Sequence, residues 1–507
     1  MDQFHNDPPS LPKGWSRSRL GELVADGLIG LVIPMAQQSK NAEGVPYVKM
    51  NNITSDGHLD LKDMAHVSIN DEELKRYQLR KGDILFNTRN SYELVGKTAI
   101  VGDDQTLGVF NNNIMRIRIV DYVNPSFISY QMNSPSFREY ITREKKATTN
   151  ICALYARDLM SSPIMLSPVS EQLRIVVKLE ELFSKLDAGV KSLETVKAQL
   201  KLYRQSVLKS AFEGKLTEEW RRTHRDELEP ASKLLERIKE ERRKSTVGKY
   251  RELPPLDTSN LPELPEGWVW TKLEDITVEV ENVNPKEQMP EDEFTYLDIA
   301  SIDNRKQEVT SPKKYLGKDA PSRARQLVKA NDILFSTVRT YLRNIAMVDR
   351  RYDGQIASTG FCVIRPFEYI NKKLVFYLAQ TDSFLNPLTE IQRGTSYPAV
   401  RNSDVYAQTI PLPPLLEQHR IVEEIERCFS VADDTEKIAV NSLKQSEKLR
   451  QSILKRAFEG KLVPQDPSDE PASVLLERIK SLKAQVEQDK KTRKGRKRYG
   501  PKQRRLT

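Results

Sequence analysis

The 507-residue sequence contains only three cysteines and five histidines. Cys152, Cys362 and Cys428 lie far apart, are odd in number and form no CxxC pair. That excludes a disulfide framework and a cysteine-based zinc site. His5, His58, His66, His224 and His419 show no HExxH or HxH grouping, which argues against a metal site. Long apolar runs are also missing. The longest, Gly27–Ala36 (GLIGLVIPMA), is too short to span a bilayer and contains a proline. The N-terminal MDQFHNDPPS lacks the basic-then-apolar order of a signal peptide. These absences predict a cytoplasmic, soluble chain, and 38% hydrophobic residues suffice for real cores.

Catalytic signatures are absent too. There is no GxSxG, no GxGxxG and no helicase-like acidic pair. Asp7-Pro8-Pro9-Ser10 resembles part of an amino-methyltransferase motif, but the aromatic residue and the preceding strand are missing. Gly96-Lys97-Thr98 resembles the end of a P-loop, yet Ser91 stands where the first glycine belongs. A strand entry, VGKTAIV, accounts for it better. Glu291-Asp292-Glu293 sits in a polar run and is read as solvent-facing.

One abundance is misleading. The formal net charge is +9, but residues 490–507 hold ten Lys or Arg and no acid. The other 489 residues carry 70 basic and 71 acidic side chains. Nucleic-acid binding by the body must therefore use local patches, not a global field.

The dominant feature is an internal repeat. Residues 171–216 and 417–462 align without a gap at an offset of 246, with 22 identities in 46 positions. PASKLLERIK (230–239) recurs as PASVLLERIK (471–480). Upstream, LPKGW (11–15) matches LPEGW (264–268), and DILF occurs at 83–86 and 332–335. Similar blocks thus alternate with variable ones.

The similar blocks read as long helices. Ile175, Leu179, Leu182, Leu186, Val190, Leu193, Val196, Leu200, Tyr203 and Val207 form a near-heptad seam. The second copy keeps Ile421, Ile425, Cys428, Ala432, Leu449 and Ile453 but places Glu436, Ser442 and Ser446 on the seam. Ser167-Pro168 suits a helix start, and Gly214 and Gly460 suit its end. Some 44 residues as one helix would reach roughly 65 Å. A shorter helix follows each copy, over 230–243 and 471–488.

The variable blocks read as α/β or α+β: short strands (YVKM, DILF, TAIV, NIMRIRIV; YLDI, DILF, IAMV, FCVIRPF) and helices over 125–143 and 373–385. The resulting division is an N-terminal disordered stretch 1–10, a block 11–166, helices 167–245, a linker 246–260, a block 261–412, helices 413–488 and a basic disordered tail 489–507.

Each variable block carries two stretches suited to nucleic-acid contact. The first has Asn87, Arg89, Asn90, Ser91, Tyr92 and Lys97, then Thr148, Thr149 and Asn150. The second has Ser336, Arg339, Thr340, Tyr341 and Arg343, then Arg393, Thr395, Ser396 and Tyr397. Arg suits guanine, Asn suits adenine, and hydroxyls suit phosphate.

In this order, twice over, the motifs resemble the specificity subunit of type I restriction–modification systems. The carrying residues are L-P-x-G-W (11–15, 264–268), D-I-L-F, G-T-S (394–396; Ala147-Thr148-Thr149 in the first half), P-L-P-P-L-x-E-Q (411–418; Met165-Leu166-Ser167-Pro168 in the first half) and A-F-x-G-K-L (211–216, 457–462). The resemblance implies two target-recognition domains for a bipartite, asymmetric DNA sequence, related by a pseudo-two-fold. It implies antiparallel coiled-coil helices as a spacer, with seam residues Ile175, Leu179, Leu182, Leu186, Leu193, Leu200, Ile421, Ile425, Leu449 and Ile453. It further implies two docked methyltransferase subunits, with motor-nuclease restriction subunits joining them. S-adenosylmethionine, ATP and Mg would then belong to those partners, and the chain itself would be non-catalytic. The competing readings are a coiled-coil scaffold with two protein-binding domains and a self-contained DNA methyltransferase.

Overall fold

The computed structural model describes residues 11–41, 43–102, 108–148, 151–245 and 256–498. The expected disordered N-terminus lies outside them, as do most of the linker and the last nine residues. The chain forms two compact units, Met1–Leu193 with Asn441–Thr507, and Glu194–Val440. Each unit contains one α/β block and a segment of both long helices.

In the first unit, DILF enters a four-stranded antiparallel sheet. Its strand Ile84–Asn87 lies between Ile114–Ile119 and Thr98–Ile100, with Val24–Ile29 on the outer edge. In the second, Ile333–Ser336 lies between Phe361–Ile364 and Ile345–Met347. These strands are buried on both faces, which is why DILF reads as an unbroken apolar run. The aspartate before each strand has one job in both units. Asp83 accepts from the Arg80 amide at 2.9 Å and from Arg118 Nε at 2.6 Å. Asp332 accepts from the Lys329 amide at 2.8 Å and from Arg365 Nε at 2.8 Å. It closes the turn and neutralises an arginine, Arg118 on the neighbouring strand in the first unit and Arg365 just past the neighbouring strand in the second.

A second mixed sheet in each block contains one parallel pair, Val45–Val48 with Val109–Phe110, and Glu293–Leu297 with Ile356–Ser358. A two-stranded ribbon joins the beginning of each block to its end: Ser16–Arg19 with Pro163–Leu166, and Val269–Lys272 with Thr409–Leu412. The helix expected over 125–143 is two helices, Pro125–Met132 and Pro135–Glu144. The break is chemical: Ser134 caps the second helix and Pro135 occupies its first turn. The helix expected over 373–385 breaks likewise, at the Thr381 cap.

The long helices run Val169–Phe212 and Leu415–Phe458, 44 residues each. Within each unit their segments are antiparallel. Asp187 meets Arg450 while Arg174 meets Asp469, and Arg204 meets Asp433 while Thr217 meets Glu417. On the seam, Ile175, Leu179, Ile421 and Ile425 are fully buried. Leu182, Leu186, Leu193, Leu200 and Ile453 are half-buried. Leu449 is 51% exposed, and Arg450 turns inward beside it. Counting back four residues from buried Leu454 lands on Arg450, so the helix phase favours it.

The repeat's shared motifs meet at the helix ends. Gly214 and Gly460 are left-handed, with φ of +72° and +66°, and close Schellman turns. A Cβ on Gly214 would strike Pro265 at 2.3 Å, and one on Gly460 would strike Pro12 at 2.5 Å. The L-P-x-G-W prolines therefore seat directly on the A-F-x-G-K-L glycines. The tryptophans reach the other way: Trp15 Nε1 donates to Glu171 at 3.0 Å, and Trp268 Nε1 to Glu417 at 2.7 Å. The following helices, Ala231–Ser245 and Ala472–Arg498, pack beside these sites. Their amides at Ala231 and Ala472 donate to Gly267 O and Gly14 O at 2.8 Å. The last helix continues to Arg498, ten residues past its expected end. The added residues are mostly Lys and Arg, which are good helix formers.

Candidate nucleic-acid interface

The structure brings the two candidate stretches of each block together. In the first unit, Arg89–Asn90 pairs with Cys152–Ala153, which pairs with Lys146–Ala147. In the second, bridges join Val338 to Ala399 and Ala399 to Arg393. Segments about 60 residues apart in sequence thus form one surface per block.

Several candidate residues turn inward and hold these loops. Asn87 is fully buried; its amide donates to Arg89 O at 3.1 Å and Asn113 O at 3.0 Å, and its oxygen accepts from Asn90. Ser336 is buried and donates to Val338 O at 2.9 Å, tightening the equivalent turn. Lys97 donates to the Met50 and Ile53 carbonyls, and burial holds its ammonium pKa below the ordinary value. Thr340 is buried against Thr389 and Gln392. Arg343 binds Gln380 O at 3.0 Å and pairs with Asp382. Asn87, Ser336, Lys97 and Thr340 thus have polar groups committed to the protein, while Arg343 is half-buried with its two terminal nitrogens engaged. Thr149 and Asn150 lie outside the described residues.

On the first block, Arg89, Ser91, Tyr92 and Thr148 are exposed, while Asn90 is half-buried, its amide donating to Asn87 Oδ1 and its oxygen accepting from the Ser91 amide. Lys145 Nζ sits 3.5 Å from the Tyr92 ring centroid, and Lys146 Nζ 5.7 Å from that of Tyr155. Exposed Ile151 and Arg157 flank them. Sequence reasoning missed Lys145, Lys146 and Tyr155. The run Arg143–Lys146, directly before Ala147-Thr148, was the available signal.

On the second block, Tyr341, Arg393, Thr395, Ser396 and Tyr397 are exposed. Arg339 stacks 5.0 Å over the Tyr397 ring, and its guanidinium donates to Ser396 O at 3.0 Å. Its Nε is buried without a partner. Arg339 and Arg343 bracket this loop in left-handed conformations, φ +50° and +54°. Such backbone is strained for a side-chain-bearing residue and is held by the surrounding bonds. Gly394, φ +99°, turns the partner loop. The first block has Ala147 there, in a short strand, so the two loops follow different paths.

Both surfaces present cations laid on tyrosine faces, with hydroxyls around them. Guanidinium and ammonium groups suit phosphate and guanine edges, and aromatic faces suit bases. Among the described residues, no group of three or more His, Cys, Asp or Glu is placed to hold a metal ion. No helix among them is long and apolar enough to cross a membrane.

Comparison with known proteins supplies the family. A model described as the type I restriction modification DNA specificity domain matches residues 12–198 and 265–445. The type I restriction enzyme EcoDI specificity subunit of Escherichia coli is 28% identical over 347 residues, covering 66% of this chain and 72% of that protein. The EcoBI specificity subunit of Escherichia coli is 23% identical over 509 residues, covering 97% and 98%. Among solved structures, a chain from a study of type I R-M complex assembly and conformational transition matches with a TM-score of 0.61 at 19% identity. It covers 90% of this chain and 100% of that one. The HsdS subunit from Thermoanaerobacter tengcongensis matches over the same shares with a TM-score of 0.50 at 19% identity. With two copies of the domain matched over more than half its length, this chain belongs to the type I restriction–modification DNA specificity family.

Proposed function

We propose that each α/β block reads one half of a bipartite, asymmetric DNA sequence. The antiparallel helices set the spacer between the halves and dock two methyltransferase subunits, which restriction subunits join. In this division of labour the chain recognises DNA and performs no chemistry. S-adenosylmethionine, ATP and Mg belong to the partners.

One observation carries the reading: the paired loops occupy equivalent places in both blocks yet differ in sequence and backbone path. Two different half-sites call for two different loop sets on one scaffold. The shared helix sequences fit a surface that meets the same partner twice. A spacer fixed by a rigid protein element has a parallel in dimeric DNA readers, where protein geometry fixes half-site spacing.

The test is duplex binding by the chain assembled with its methyltransferase subunits, titrated with salt. Binding should weaken steeply as salt rises, because phosphate contacts release counterions. Salt-insensitive or absent binding would favour the scaffold reading. Methyl transfer by the purified chain alone would make it an enzyme.

A further inference from the structure

Each long helix carries the same two polar residues at equivalent repeat positions, Asp187 with Asp433 and Arg204 with Arg450. They pair crosswise. In the first unit, Arg450 of the second helix bonds Asp187 of the first. In the second unit, Arg204 of the first helix bonds Asp433 of the second. The same ion pair is used twice with the helices exchanged.

The aromatic neighbours repeat, but the burial does not. Arg450 is 8% exposed and stacks 4.3 Å over the Phe183 ring, whereas the Arg204–Asp433 pair is more open to solvent. Tyr130 meets Phe183 edge-on at 5.7 Å, and their counterparts Tyr377 and Phe429 meet edge-on at 5.7 Å. Asp187 also lies 3.8 Å from His58. Arg204 holds a second carboxylate, Glu436, at 2.9 Å. That accounts for the acid at this seam position.

Apolar packing between the helices is dense near their ends, where Ile175, Leu179 and Phe183 share a core with Leu454 and Phe458, and thins toward the middle of the seam. Leu182, Leu186, Val190, Leu193, Val196 and Leu200 are only half-buried. Ser442 and Ser446 occupy seam positions, and Val431, Ile438 and Leu449 face solvent. A sparse apolar seam tolerates sliding, whereas one polar pair at a defined position specifies register. A slip of one turn, about 5.4 Å, would strip Arg450 of its carboxylate while leaving it buried, which is strongly unfavourable.

We propose that Arg450–Asp187 and Arg204–Asp433 set the axial register of the long helices, and are therefore positioning residues for the DNA spacer. The consequence for the spacer rests on the reading of the helices as a ruler. The register itself does not.

The two parts separate experimentally. Spin labels on Ser184→Cys and Lys448→Cys, both exposed and both in the first unit, report helix register by pulsed EPR in the full chain. The native cysteines are buried, so labelling is selective. The parent should give one narrow distance. Arg450→Met keeps bulk over Phe183 but removes the charge, and should broaden the distance or add a component about 5 Å away. The exchange Asp187→Arg with Arg450→Asp should restore one narrow distance. An unchanged narrow distance in Arg450→Met would overturn the proposal. If Arg450→Met fails to fold, Arg204→Met carries the same test, with labels on Lys201→Cys and Asp434→Cys in the second unit. Methylation by the assembled complex of targets with one base pair added to the spacer tests the consequence. Arg204→Met with Arg450→Met should lower discrimination against them severalfold. A loosened register with unchanged discrimination would refute the ruler and leave the register pairs standing.

Discussion

Glu171 and Glu417 occupy the same repeat position, and the structure predicts unlike responses to the same substitution. Glu417 is fully buried with both oxygens engaged. Oε2 accepts from Trp268 Nε1 at 2.7 Å; Oε1 accepts from Thr217 Oγ1 at 2.7 Å and Arg221 Nε at 2.9 Å. Glu417→Gln can present an oxygen to only one side, so an amide N–H₂ must face either the tryptophan or the arginine. Removing one member of a buried ion pair costs about 3–5 kcal/mol. Glu171 is just as buried, but its one short hydrogen bond is to Oε2, from Trp15 Nε1 at 3.0 Å; Oε1 lacks a hydrogen-bond partner, with Gln465 and Arg174 acting on the carboxylate only at longer range. Val463 stands where the second copy's partner threonine would be. Glu171→Gln keeps the tryptophan bond and removes an undercompensated charge, so its cost should stay below about 1 kcal/mol or become a gain. The pH dependence follows. Burial raises the Glu171 pKa, so the folded state holds this proton more tightly than the unfolded state. Stability of the first unit should therefore fall as pH rises from the unfolded carboxylate range through the raised folded pKa. Glu171→Gln should abolish that component. Hydrogen exchange resolved to each unit is the assay, because a two-unit chain need not melt in one step. Equal destabilisation by both substitutions, or an unchanged pH profile in Glu171→Gln, would refute the reasoning.

Arg339→Ala should relax base preference in one half-site only, by about 1–3 kcal/mol if it reads a guanine edge; uniform weakening across sequences in a binding assay would assign it to phosphate. Lys145→Ala with Lys146→Ala should weaken duplex binding on every sequence and lower the salt slope by about one for each phosphate no longer neutralised. Gly460→Ala should destabilise the first unit by at least about 1 kcal/mol in chemical denaturation, because the left-handed backbone and Pro12 both oppose a Cβ. Inserting one helical turn near Val196 should change the spacer found in the methylated sequence, while the half-sites stay as they are.

Much of the architecture was legible in the sequence because it rests on periodicity. The near-heptad spacing marked both long helices, and Gly214 and Gly460 marked their ends. The repeat also flagged Trp15, Trp268, Glu171 and Glu417, but not that they bond to one another across some 150 residues. That contact belongs to the packing of the block against its helix. The helix break at Asn133-Ser134 was signalled by Ser134-Pro135 yet masked by the apolar pattern on both sides. At the interface, the loops were legible as matched pairs, whereas the roles within them were not. Asn87 and Arg89 are both polar, two residues apart, and point opposite ways because a strand ends between them. Arg339 and Arg343 look interchangeable in sequence, but Asp382 takes one and Tyr397 the other.

The central claim is that two independent readers share one scaffold. The most direct measurement is the methylated sequence, determined genome-wide, after residues 264–415 are exchanged for the corresponding block of another family member. One half of the recognised sequence should change, with the other half and the spacer retained. A change in both halves would contradict the account, as would no change in either.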